Sequence, residues 1–167
     1  MYKRVNHNSL DSSQQSHILD LIESVERWDN AMHRSLSVDK RESLMVKQSR
    51  ELRDERNAFL FKYLMENSSA IVAFKNYSNH VPSESPRYNR AALVSALELI
   101  QYFDLSIKEH KEDSEILELH QKHRNNQWFF IFDYLCELGG KNLFPNAAKN
   151  YQYAMAAWFL VFYGGVM

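Results

Sequence analysis

The chain has 167 residues, of which 45% are hydrophobic and 13% aromatic, with only 4 Gly and 3 Pro. That length suits one domain, and the composition excludes both a disordered chain and a turn-rich sandwich or barrel. A net charge of −1 offers no general attraction to nucleic acid or to an anionic membrane, and the single cysteine, Cys136, rules out an internal disulfide and fits a reducing, cytoplasmic setting.

Residues 1–11 read as a flexible tail, because no apolar run follows the basic start as a secretory signal would require. Asp11, Ser12 and Ser13 are N-cap candidates for a first helix over about 12–36. Its apolar face is Ile18, Leu21, Ile22, Val25, Trp28, Met32 and Leu36, spaced three and four apart. Asp39 and Glu42 have capping-box spacing for a second helix over about 40–66. Leu44, Met45, Gln48, Leu52, Phe59, Leu60, Phe61, Tyr63 and Leu64 give that helix its expected apolar side. The mixed charges from Lys47 to Arg56 read as a solvated face, in which opposite charges one turn apart add only about 0.2–0.5 kcal/mol per pair.

Asn67-Ser68-Ser69 either ends that helix and starts a short one, Ala70 to Tyr77, or only bends it. Pro82 and Pro86 then mark residues 78–89 as a loop. Arg90 to Lys108 reads as a strong helix whose stripe is Leu93, Leu97, Ile100, Phe103, Asp104 and Ile107, widened by Val94, Ala96 and Leu99. Asp113 or Ser114 caps the next helix. Ile116, Leu117, Leu119, Trp128, Phe129, Ile131, Phe132, Leu135 and Leu138 carry it to the Gly139-Gly140 stop, with Asn125-Asn126 a place where it divides in two. Asn146 is placed to cap a final helix.

That last stretch, Tyr151 to Met167, contains no charged side chain. A helix that is apolar all round must be buried in a core or in lipid. At 17 residues, with Gly164-Gly165 interrupting it, the stretch is short for a membrane span, so a buried helix with Trp158, Leu160 and Phe162 inside is the expectation. The fold class that follows is all-α: a single helical domain over 12–167, a bundle of five long helices plus one or two short ones, with the apolar C-terminal helix at its centre.

The search for chemistry returns little. Phosphate-cradling glycine loops, a Gly-x-Ser-x-Gly elbow and a His-Glu-x-x-His helix are all absent from the sequence, so no cofactor is expected. His110, Glu112, Asp113, Glu115, Glu118, His120 and His123 form the densest group of metal-ligand types, and an ion held by His110, Glu115, His120 and His123 would need them to converge on one point. Cys136 sits among apolar neighbours near a helix C-terminus, where the dipole disfavours a thiolate, so it reads as structural.

The segment Arg27-Trp-Asp-Asn-Ala-Met-His33 resembles the spaced Arg and His of HEPN-type ribonucleases, with Trp28 where that family has a polar residue. The resemblance implies a helical ribonuclease in which Arg27 and His33 of two protomers meet across a dimer cleft. Spacing alone puts the two residues on different sides of a helix, as separate surface groups.

The strongest asymmetry is acidic. Glu98, Asp104, Glu109, Glu112, Asp113, Glu115 and Glu118 are opposed between residues 98 and 118 only by Lys108 and Lys111. Such a face can dock a basic protein, with Tyr77, Tyr88 and Tyr102 as nearby anchors. The leading expectation is therefore a non-enzymatic protein-binding module, an inhibitor or adaptor of the immunity-protein type, with no nucleic-acid or membrane partner. The alternative is a metal-binding or ribonuclease-like helical enzyme using the His/Glu cluster.

Overall fold

Local chemistry starts each helix. Asp11 Oδ1 accepts the Gln14 backbone N–H at 2.7 Å while Gln14 Oε1 accepts that of Asp11 at 3.1 Å. This reciprocal capping box opens α1, Ser12–Val38. The Ser43 hydroxyl accepts from Val46 N and caps α2, Leu44–Asn67. Ser69 leads into the single turn and a half of α3, Ala70–Phe74. Asn89 Oδ1 takes Ala92 N at 2.8 Å to start α4, Arg90–Glu109, and Asp113 Oδ1 takes Ile116 N to start α5, Ser114–Leu138. The computed structural model describes residues 10–38, 43–77, 88–110 and 112–138, and among these the chain is all-α, five helices and no strand. The expected Asp39/Glu42 box and the apolar helix over 151–167 lie outside the described residues.

Two antiparallel hairpins build the bundle. His17 meets Tyr63 and Asp29 meets Arg53, so α1 and α2 run in opposite directions. Ser106 meets His120 and Asp104 meets Arg124, so α4 and α5 do the same. Polar contacts join the hairpins, among them Gln15 to Gln101 at 2.8 Å, Arg90 to Glu23 at 3.2 Å, and the Tyr134 hydroxyl to Glu26. α3 closes the gap between them, with Phe74 packed edge-on to both Phe61 of α2 and Phe132 of α5.

One core cluster draws on all five helices and includes Ile18, Ile22, Phe61, Leu64, Ala73, Leu97, Ile100, Trp128 and Phe132. Each large side chain fully buried there contributes roughly 1.5–3 kcal/mol. The amphipathic faces of α1, α2, α4 and α5 thus find partners in one another. Leu10, assigned above to the flexible tail, is fully buried in this cluster, so packing begins before α1 does.

Three expectations need correction. The buried side of α2 is Val46, Ser49, Arg53, Asn57, Leu60, Phe61, Leu64 and Met65, whereas Leu44, Met45 and Phe59 are exposed. Apart from Val46 the inward positions of its first half are polar, so counting apolar residues selects the wrong face there. α5 does not divide at Asn125-Asn126; Asn125 Oδ1 accepts from the Arg124 guanidinium at 3.3 Å, which occupies the side chain that would otherwise compete for backbone groups. Leu119, expected on the apolar side of α5, is half exposed.

Candidate functional site

The seven acids singled out by sequence separate into two kinds. Asp104 is inside: its side chain is only 7% exposed and lies 3.4 Å from Arg124, itself 9% exposed. The Ser69 hydroxyl donates to its other oxygen at 2.9 Å and in turn accepts the Trp128 indole N–H at 2.9 Å. Asp104 therefore locks α3, α4 and α5 together and is removed from the docking face. Its place on the apolar stripe of α4, beside Ile100 and Ile107, is the reason it points inward.

Glu98, Glu109, Glu112, Asp113, Glu115 and Glu118 are all exposed. Five of them surround the turn between α4 and α5, and Glu98 lies further back along α4. Asp113 has a structural task as the cap of α5. Among the described residues none of the six takes part in an ion pair, in contrast to Asp29, Asp104 and Glu23. A shallow open depression lined by Glu115, Glu118, Leu119 and Lys122 lies on the first turns of α5. Of the three tyrosines proposed as anchors, only Tyr102 is free to serve. Tyr77 stacks into the core and donates to Asp133 at 2.7 Å, and Tyr88 lies against Phe130 and Tyr134. Burial pushes both phenols up, that of Tyr88 to about 12, with the hydrogen bond to Asp133 adding to the rise at Tyr77.

The histidines gather at the same end without converging. His120 Nδ1 lies 2.7 Å from the Ser106 hydroxyl, and His110 Nδ1 lies 3.0 Å from the Ser106 carbonyl, to which it donates. The two rings are perpendicular, with centroids 6.2 Å apart. Both imidazoles turn Nδ1 toward the same residue, Ser106. His123 stacks on Phe103 instead. Accordingly, among the described residues no group of three or more His, Cys, Asp or Glu could hold a metal ion, and the residues His110, Glu115, His120 and His123 do not fit one.

Arg27 and His33 each take a different partner. Arg27 reaches back to Glu23 at 4.0 Å, and His33 Nε2 lies 3.6 Å from Asp29 Oδ2, both on the exposed surface of α1. Cys136 is half-buried, and its thiol is pushed up chiefly by burial; the Tyr77 hydroxyl 3.6 Å away pulls the other way.

Sequence reasoning missed the α1–α2 seam. Arg53, read above as solvated, is buried and holds Asp29 at 2.9 Å and Asp54 at 3.1 Å. One turn on, Asn57 is fully buried, and neither amide atom is hydrogen-bonded among the described residues. The signal was the period: Val46, Ser49, Arg53, Asn57 and Leu60 recur at helical spacing.

No described helix is long and apolar enough to cross a membrane. Comparison of the chain with protein-family profiles, with characterised proteins and with solved structures returns no match. The functional reading therefore rests on the chemistry of these surfaces alone.

Proposed function

We propose that the chain is a non-enzymatic protein-binding module, an inhibitor or adaptor of the immunity-protein type working in the cytoplasm, which docks a basic protein through the acidic end of the α4–α5 hairpin. The observation that carries this reading is the contrast among the carboxylates. Those that hold the fold are paired, while Glu109, Glu112, Glu115 and Glu118 are exposed and without an ion pair among the described residues. Fields from such clusters steer a basic partner into place and weaken as salt rises.

The test is affinity capture from the native cell with the wild-type chain and with Glu112→Lys/Glu115→Lys/Glu118→Lys. Asp113 is spared because it caps α5. The reading expects one basic protein to be retained by the wild type and lost from the triple variant at unchanged helical content. Retention by both, or by neither, defeats it.

A further inference from the structure

Exposed large apolar side chains are scattered singly on most of the surface, as is normal for folded proteins. Leu44 and Met45 stand exposed together at the start of α2, and α4 carries a run of three. Leu99, Tyr102 and Leu105 are 41%, 60% and 42% exposed. Spaced three apart, they form one stripe on the side of α4 opposite Leu93, Leu97 and Ile100, which fill the core. Glu98 and Glu109 are exposed on the same stripe, one at each end of the apolar patch. They are eleven positions apart, or about 16 Å along the helix.

We propose that this stripe seats a basic amphipathic helix of the partner, laid along α4 with its apolar positions on Leu99, Tyr102 and Leu105 and its lysines or arginines over Glu98 and Glu109. The inference rests on the docking reading above and adds the kind of element the partner presents. Two features select the occupant. The anchors follow helical spacing, so an element of matching period lies against all three at once. The flanking charges are Glu98 at one end and Glu109 beside the exposed Lys108 at the other, a net acidic set from which a basic helix gains more than an acidic one. Tyr102, the most exposed of the three, is the side-chain type that most often dominates such contacts.

A labelled Leu/Lys amphipathic helix of about 18 residues, long enough to span the stripe, is titrated against the full chain by fluorescence anisotropy. A Leu/Glu helix of the same pattern serves as control. The expectation is saturable one-to-one binding of the Leu/Lys helix and none of the control. Tyr102→Ser/Leu105→Ser should weaken binding by roughly tenfold or more, because it removes two of the three anchors. Glu98→Gln/Glu109→Gln should weaken it less and flatten its salt dependence.

Equal binding to the wild type and the Tyr102→Ser/Leu105→Ser variant overturns the inference. So does absence of binding to the wild type, or a wild-type dimer in sedimentation that the variant loses, since a second copy would then be the occupant. Binding of the Leu/Lys helix that appears only after residues 151–167 are deleted also overturns it, since the chain's own apolar end would then hold the stripe. Loss of binding in Glu112→Lys/Glu115→Lys/Glu118→Lys with no loss in Tyr102→Ser/Leu105→Ser leaves the acidic-end reading standing and removes this one alone.

Discussion

In the α1–α2 hairpin a buried arginine, Arg53, reaches Asp29 at 2.9 Å; in the α4–α5 hairpin Arg124 reaches Asp104 at 3.4 Å. The pairs look alike but are embedded differently. Arg53 also holds Asp54, whose side chain is 44% exposed, and His33 lies beside the second oxygen of Asp29. Asp104 instead passes its second oxygen inward, through Ser69 to Trp128 in the core. The first pair joins two helices and keeps contact with the surface. The second joins three helices and is tied to a core tryptophan. A carboxylate's meaning here depends on what lies beyond its arginine.

Breaking the pairs should expose the difference. Arg124→Ala is expected to cost the most, about 3–5 kcal/mol in urea unfolding, because a charge remains buried at a three-helix junction. Arg53→Ala should fall at the lower end, about 3 kcal/mol, since His33 stays beside Asp29. Trp128→Phe removes the indole donor from Ser69 and should cost about 1–3 kcal/mol, through the lost bond and the reduced volume. If Arg53→Ala proves the more damaging of the two arginine changes, the comparison is wrong.

A stabilising change sharpens the same contrast. Asn57 sits one turn from Arg53 with its amide unpaired among the described residues, so Asn57→Leu should raise stability by about 1–3 kcal/mol, the cost of leaving such a group buried. Loss of stability would mean that Asn57 has a partner.

The smallest expected effect concerns Glu26, where the two hairpins meet through Tyr134. Burial raises its carboxyl above the ordinary 4.5, Glu23 adds to the rise and Arg90 opposes it. A raised value in the fold favours the neutral form, so its contribution is present below 4.5 and is lost as pH rises through the higher folded value. Wild-type stability should therefore fall with pH across that window relative to Glu26→Gln, which has no proton to lose. Parallel pH profiles for the two proteins would contradict this.

Much of the fold was legible because periodicity survives in single helices. The stripes of α1 and α4, the caps at Asp11 and Asp113, and the absence of strands among the described residues all follow from local spacing and turn chemistry, whereas Asn89 was read as loop and proves to be the cap of α4. The buried face of α2 before Leu60 was not legible, because beyond Val46 its inward positions are Ser49, Arg53 and Asn57 while Leu44, Met45 and Phe59 face solvent. Arg53 can be buried only because Asp29 waits 24 positions upstream, and no local pattern shows that pairing. At the candidate site, counting charge along residues 98–118 could not separate direction from sign. Asp104 lies on the apolar stripe and Glu112 does not, yet both carry one negative charge. That Ser106 engages both His110 and His120 was equally invisible, since it depends on how α4 and α5 meet.

The division between acids that hold the fold and acids free to dock a partner is tested most directly by urea denaturation of Asp104→Ala beside Glu112→Gln/Glu115→Gln/Glu118→Gln. Asp104→Ala is predicted to lose about 3 kcal/mol or more, because Arg124 is left buried and unpaired. The triple change should stay within about 1 kcal/mol of wild type, as expected for surface positions with one residue in the first turn of a helix. A triple variant as unstable as Asp104→Ala, or an Asp104→Ala protein as stable as wild type, would contradict the division.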